Sequence, residues 1–502
     1  MYEFTCSLKS ALKPVSLGSI EGQLVLPVFD DAKLDGIAAE LDARSKGTFA
    51  KALAALPLKG GACTPLETGG INVVALGLGK RDAFDEQQGM LAANALGAWL
   101  VANNTAAGRF DTVTLVPVQG REERSIWDMI GGISVASYDP SVRKEKDPGV
   151  KRVVVLGGKE LENPVLAARV WGEARNYARW LNDGPANIVT PQFLAAEAQK
   201  IAKMAEHIEL TARLDKAALE KDRWNLLLGV NQGSEREPVG ICLTHYGKGK
   251  PIVLIGKAIT FDTGGTNLKT GEWINEMRMD MSGAGLLLAV FRAWAALPAD
   301  LRPKHTVHGI FVATENMLGG RAQLPQDVLV SRSGKTVEID NTDAEGRLTL
   351  ADAMDYGLEK KPALVLTVAT LTGACMVALG VGQLVPAGLF ANAAGQKYVG
   401  GMQLAASRVG ERVWHLPSSE FGSLYPAMSK SSRADLKNTG DPKGGGASSA
   451  AAFLQAFAVK EHEGRHETPY LHLDIAGTMS QDKRGTGVGA KLLGEFLRNV
   501  EL

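Results

Sequence analysis

A chain of 502 residues has room for roughly two to four domains, and 45% hydrophobic with 22% charged residues is the make-up of an ordinary globular protein. Lys plus Arg and Asp plus Glu each total 55, which excludes a global basic field for nucleic acid and the acidic excess of a disordered chain. Cys6, Cys63, Cys242 and Cys375 form no C-x-x-C pair, which argues against a disulfide framework or zinc ribbon and fits a reducing, cytoplasmic setting; the opening MYEFTCSLKS lacks the apolar core of a signal peptide.

The first part of the chain alternates short apolar runs, QLVLPVF, INVVALGLG, DTVTLVPV and RVVVLGG, with helix-like segments such as 87–103. Strands alternating with helices predict a smaller α/β domain over 1–162. A charged loop at 142–151 precedes its last strand, and helical periodicity over 164–181, stopped by NDGPAN, predicts a connecting helix at 163–183. From 184 to 502 the runs are longer: ICLTHYG, PIVLIGKAITFD, HTVHGIFVAT, ALVLTVATL and YLHLDIAG. Near-continuous apolar runs suit a strand buried on both faces. They predict a larger α/β catalytic domain with a mixed, mostly parallel sheet covered by helices. The uncharged stretch 362–396 could span a bilayer by length, but Gly373, Gly380, Gly382, Pro386 and Gly388 break it, so it reads as a buried strand followed by turns and no membrane span. GLGKRD and GTGVGAK lack the phosphate-loop spacing and read as turns opening helices, while GGGASSAAA reads as a loop entering an Ala-rich helix.

Residues 462–466 read HEGRH, the H-E-x-x-H pattern of zinc peptidases. A working pair sits mid-helix so that both imidazoles reach one ion. Here Gly464 separates the histidines, Pro469 follows closely, and EHEGRHET has no apolar residue to pack a helix face. The stretch reads as a solvated connector between a helix, AAFLQAFAVKE, and the strand YLHLDIAG.

Ligands of parallel sheets bind beyond the carboxyl ends of strands. Two such segments carry carboxylates and cations, FDTGGTNLKTGEWINEMRMDMSGAG and NTDAEGRLTLADAMDYG. Asp343 and Glu345 are two apart, so an extended segment would point both the same way, and Asp262 and Asp280 converge with them if the loops are neighbours. Crowded carboxylates raise each other's pKa unless cations intervene, and two divalent ions would balance four of them. Alone, Asp262 could equally shape a turn before Thr-Gly-Gly, and Asp343 could cap a helix at 348–356.

NTDAEGRL at 341–348, with GKAITFDTGGTNLK at 256–269, resembles the leucyl aminopeptidase family of two-metal exopeptidases. LNDGPANIVTP, RMDMSGAG, ATLTGACMVALG, GERVWHLP, ADLKNTG, GGASSAAAFL and HLDIAGT follow in family order, so the resemblance covers most of 180–502. It implies that Asp262 and Glu345 bridge two divalent ions, Mn²⁺ or Zn²⁺ with Co²⁺ and Mg²⁺ as further candidates. Asp343 would hold one ion; Lys257 and Asp280 would hold the other. Lys269 would polarise the substrate carbonyl, and Arg347 would hold a bicarbonate ion acting as general base. Leu371 and Gly373 would offer main-chain hydrogen bonds, while Met277, Thr370, Ala476 and Met479 would line an apolar pocket for the first side chain. The resemblance further implies a cytoplasmic homohexamer acting on peptides with a free N-terminus. Thr263, Thr266, Asn267, Thr270 and Arg278 depart from the family pattern around Lys269 without removing a presumed ligand.

Two other readings predict different outcomes. A single-zinc endopeptidase built on His462, Glu463 and His466 would cut N-blocked peptides, and a non-catalytic hexameric binding protein would bind no ion.

Overall fold

The computed structural model describes residues 5–10, 20–34, 36–104, 110–140, 150–418, 424–439, 444–460 and 466–502. Two compact units divide it, Met1–Asn176 and Tyr177–Leu502, and the boundary falls within the helix Glu162–Asp183.

In the first unit, β1 (Thr5–Ser10), β2 (Gln23–Phe29), β3 (Cys63–Thr68), β4 (Ile71–Gly79), β5 (Thr112–Leu115) and β6 (Arg152–Gly157) form one sheet in the order β1-β6-β5-β2-β4-β3. Every neighbouring pair is parallel except β3 with β4. The helix Glu86–Asn103 returns the chain from β4 to β5, and Glu122–Ala136 returns it from β5 to β6. The edge strands β1 (TCSLKS) and β3 (CTPLET) carry too few apolar residues to announce themselves in the sequence. Pro65 is tolerated on β3 because that edge needs no donor.

In the second unit the strands are β7 (Ile208–Leu214), β8 (Val239–His245), β9 (Gly249–Asp262), β10 (His305–Asn316), β11 (Val328–Val330), β12 (Thr336–Glu338), β13 (Leu364–Ala369), β14 (Ala387–Ala391), β15 (Val413–His415), β16 (Leu436–Lys437), β17 (Val459–Lys460), β18 (His466–Glu467), β19 (Tyr470–Asp474), β20 (Ser480–Gln481) and β21 (Arg484–Gly485). The main sheet runs β15-β14-β19-β13-β9-β10-β8-β7. Its four central strands, β19, β13, β9 and β10, are mutually parallel, and antiparallel pairs flank them at β14–β19, β10–β8 and β8–β7. Ile252, Val253, Leu254 and Ile255 of β9 are fully buried, because helices cover both faces of the centre. The uncharged segment folds as β13, the helix Gly373–Leu379 and β14, and no described helix is long and apolar enough to cross a membrane.

Two local expectations change. The Ala-rich helix stops at Gln455, and Val459–Lys460 instead pairs antiparallel with His466–Glu467, trading helical bonds for a short ladder. His462 and Glu463 lie outside the described residues, and His466 opens β18 and not a helical turn.

Candidate active site

The carboxyl ends of β9, β10, β13 and β19 lie side by side, and the polar residues that close these strands meet there. Lys257 and Asp262 both belong to β9 but are an odd number of residues apart, so a regular strand would send them to opposite faces. The register with β10 slips by one between Ile259 and Asp262, a bulge that turns the strand's end and lets both side chains reach one cluster. Asp280 follows the short helix Gly271–Met279, and Asp343 and Glu345 precede the helix Gly346–Leu358.

Lys257 is 4% exposed; its Nζ lies 2.7 Å from Asp280 Oδ2 and 2.8 Å from Glu345 Oε1, and it donates to the Thr370 carbonyl at 3.0 Å. Lys269 Nζ lies 2.8 Å from Asp262 Oδ2 and contacts Asp343 Oδ1. One carboxylate oxygen from each of Asp262, Asp343 and Glu345 falls within 4.8 Å of the others. Asp343 and Glu345 converge through a turn over 342–343 and not through an extended segment. Asp343 caps no helix: Glu345 holds the N-cap position, without a side-chain bond. Asp262 does shape its turn, since its Oδ1 accepts the Gly264 N–H at 2.8 Å, and it joins the cluster as well.

Glycine is required twice here. Gly264 has φ +86°, and a Cβ would sit 2.9 Å from Asp343 Oδ1. At Gly346 a Cβ would meet Lys257 Cε at 2.5 Å, so the lysine reaches the cluster only across a bare backbone.

The electrostatics follow from crowding in a dry place. Burial, then repulsion from Glu345, pushes Asp262 up to about 7, against the pull of Lys269 and Lys257. Burial likewise raises Asp280 well above the carboxylate range, and it raises Asp343 less. Glu345 is the exception: burial opposes its charge, but the two lysines together hold its pKa down. Both lysines stay firmly protonated because the carboxylates outweigh their desolvation. Burial brings Arg347 down to about 10, partly offset by Glu345 and Asp474, and its Nε has no partner among the described residues.

The remaining expected residues surround this cluster. Thr370 Oγ1 donates to Asp280 Oδ1 at 2.7 Å. Leu371 gives its N–H to Asp474, leaving its carbonyl to offer, whereas Gly373 is exposed at the start of its helix. Met277 is half-buried; Ala476 and Met479 are buried beyond β19, with Ser282 Oγ 3.8 Å from Met479 Sδ.

Three supporting residues were not singled out from the sequence. Asn316 Nδ2 donates to Asp262 Oδ1 at 2.8 Å and to the Thr342 carbonyl at 3.0 Å. Thr342 Oγ1 donates to the Gly264 carbonyl at 2.7 Å and accepts the Asn267 N–H at 2.8 Å, tying the two loops together. Asp474 closes β19. Asn316 and Asp474 both end apolar runs, so the strand-end rule that found Asp262 also points to them.

Residues 176–494 match the catalytic domain of the cytosol aminopeptidase family. The "Probable cytosol aminopeptidase" of Aromatoleum aromaticum is 37% identical over 508 residues, covering 95% of each chain. That of Aquifex aeolicus is 37% identical over 442 residues, covering 85% of each. Among solved structures, a point mutant of tomato leucine aminopeptidase superposes with a TM-score of 0.83 at 28% identity, over 100% of this chain and 98% of that one. A match of this length, over the strands whose ends carry the buried carboxylates, means that the chain belongs to the cytosol aminopeptidase family and is a metal-dependent aminopeptidase.

Proposed function

We propose that the enzyme uses two divalent ions to release apolar N-terminal residues, Leu and Met foremost, from peptides with a free N-terminus. One observation carries this reading. Asp280 Oδ2 and Glu345 Oε1 are buried and share a single cation, Lys257 Nζ, at 2.7 and 2.8 Å. Two further carboxylates crowd the same cluster. Buried acceptors left in that state call for cations. The lysines mark two centres where positive charge is drawn, one between Asp280 and Glu345 and one between Asp262 and Asp343. Oxygen donors with one amine suit Mn²⁺ or Zn²⁺, and also Co²⁺ or Mg²⁺.

Asp262 and Glu345 would hold both ions, Asp343 one, and Asp280 the other together with Lys257, whose ammonium, protonated while only carboxylates surround it, would give up its proton beside a dication. Ions bound there lower the pKa of a shared water and polarise the scissile carbonyl. Lys269 is the less buried lysine; its protonated amine would answer the charge developing on the carbonyl oxygen. Arg347, a buried guanidinium whose Nε has no hydrogen-bond partner among the described residues, would hold a bicarbonate, which would supply a general base. The Leu371 carbonyl and the Gly373 N–H would orient the substrate main chain. Met277, Thr370, Ala476 and Met479 would receive its first side chain, the flexible thioethers adapting to shape. A free α-amine beside Lys257 and Asp280 would restrict cleavage to chain ends. The resemblance supports a homohexamer, and the relatives' names support action in the cytoplasm. Balanced charge gives no support for a nucleic-acid partner.

The test is hydrolysis of leucyl amide against its N-acetylated form. The reading predicts cleavage of the free amine alone. Cleavage of the blocked substrate, lost in His462→Ala, would favour the single-zinc endopeptidase instead.

A further inference from the structure

Asp474 is fully buried at the carboxyl end of β19, opposite Ala369 of β13, close enough for its charge to act on Arg347, and none of its hydrogen bonds among the described residues goes to a side chain assigned to the metal ions. Its Oδ1 accepts the Leu371 N–H at 3.2 Å and the Ala476 N–H at 3.1 Å, while Oδ2 accepts the Thr372 hydroxyl at 2.6 Å. Leu371 and Thr372 lie in the loop ahead of Gly373; Ala476 opens the segment that carries Met479. The same loop is tied on its other side to the ion cluster, because the Thr370 carbonyl accepts from Lys257 and the Thr370 hydroxyl donates to Asp280. The Thr372 hydroxyl also accepts the Cys375 N–H at 3.0 Å, so it caps the helix Gly373–Leu379 while donating to Asp474.

We propose that Asp474 is a positioning residue that sets the substrate main-chain groups and the wall of the first-side-chain pocket in one fixed relation. The inference rests on the roles given above to Leu371, Gly373, Ala476 and Met479. By taking the Leu371 N–H, Asp474 turns that residue's carbonyl to the substrate. Through Thr372 it sets the direction of the exposed Gly373 N–H. By taking the Ala476 N–H it fixes the pocket wall to the same carboxylate. Binding of the main chain and choice of side chain then share one anchor.

An Asp474→Asn substitution keeps the shape and breaks the pattern. With its oxygen toward Leu371 and Ala476, its NH₂ faces a hydroxyl that already accepts from Cys375 and can no longer donate to it. With the amide flipped, NH₂ opposes two N–H groups. Kinetics of the metal-loaded enzyme on leucyl and alanyl amides, with metal content and active fraction measured, test the proposal. In Asp474→Asn, KM for leucyl amide is expected to rise about tenfold, on the scale of one hydrogen bond to a charged group, with a smaller fall in kcat. The preference for Leu over Ala narrows several-fold, and metal per subunit stays at the wild-type value. Thr372→Val moves both readouts in the same direction, and Thr372→Ser restores them. Unchanged KM and Leu/Ala ratio in both Asp474→Asn and Thr372→Val, with any loss matching the inactive fraction, overturns the proposal while leaving the aminopeptidase reading intact. If Asp474→Asn does not fold, Thr372→Val against Thr372→Ser decides. A wild-type enzyme that cleaves neither amide overturns both.

Discussion

Each unit places an acid and a base where its parallel strands end, and burial separates what the two pairs do. In the first unit, Arg81 Nε lies 2.7 Å from Asp31 Oδ2 just past β4 and β2, with side chains 45% and 41% exposed. In the second, Lys269 Nζ lies 2.8 Å from Asp262 Oδ2, with side chains 15% and 3% exposed. Contact distance is nearly the same, yet the carboxylates respond in opposite directions. The Arg81 hydrogen bond lowers the pKa of Asp31, whereas burial and Glu345 push Asp262 up to about 7. An exposed pair is screened and contributes little. A buried group of four carboxylates and two lysines keeps an unmet demand for cations, and that demand is the chemistry of the site.

The largest expected effect breaks the comparison directly. Glu345→Ala or Lys269→Ala should each reduce leucyl amide hydrolysis by at least about a thousandfold in a folded protein. Asp31→Ala and Arg81→Ala should leave kcat/KM unchanged and shift urea stability by no more than about 1 kcal/mol. Activity retained in both Glu345→Ala and Lys269→Ala removes the distinction.

Gly346→Ala tests how closely the buried cluster is built. Its Cβ would meet Lys257 Cε at 2.5 Å, so the lysine must shift. A displacement near 1 Å predicts a loss of about a hundredfold in activity. A Gly346→Ala enzyme with wild-type kinetics would show that the position of Lys257 is unimportant.

Ion binding should be read out as stability. Mn²⁺ at about a hundred times its dissociation constant should stabilise the wild type by about 2.7 kcal/mol, and Glu345→Ala should lose that gain. Equal stabilisation of both proteins would place the ion elsewhere.

The last effect concerns pH. All eight histidines fall in the second unit: His207, His245, His305, His308, His415, His462, His466 and His472. Burial holds His245 down to about 4 and His472 to about 3, so both are neutral in the fold. The unfolded chain protonates them first as pH falls below about 6.5. Their contribution is therefore complete above that pH and declines toward pH 4, by up to about 1.4 kcal/mol per pH unit for each. Asp262 and Asp352, both pushed up to about 7 by burial, titrate with the opposite sign, so the readout is a difference: between pH 7 and pH 5, urea titrations should show His472→Gln losing less stability, or gaining more, than the wild type. No change in the slope would mean that His472 is not buried neutral.

Much of this was legible in the sequence, for a physical reason. Long β-branched runs such as PIVLIGKAITFD are stable only when covered on both faces, so they announce β9 and the place where it ends. NTDAEGRL and DTGG then mark which strand ends matter. The β-bulge that brings Lys257 and Asp262 to one side was not legible, because it depends on a register with β10 some fifty residues away. For the same reason Asp474 was passed over, since its partners at 371 and 372 lie about a hundred residues back in the chain. Short pairings such as β17 with β18 have two residues a side and leave no periodic signal at all.

The most direct measurement is an anomalous-difference map from crystals of the enzyme grown with Mn²⁺. The account predicts two peaks, both within ligand distance of Asp262 and Glu345, one also at Asp343 and the other at Lys257 and Asp280. A map with no peak among these residues, or with its peak at His462 and His466, would contradict it.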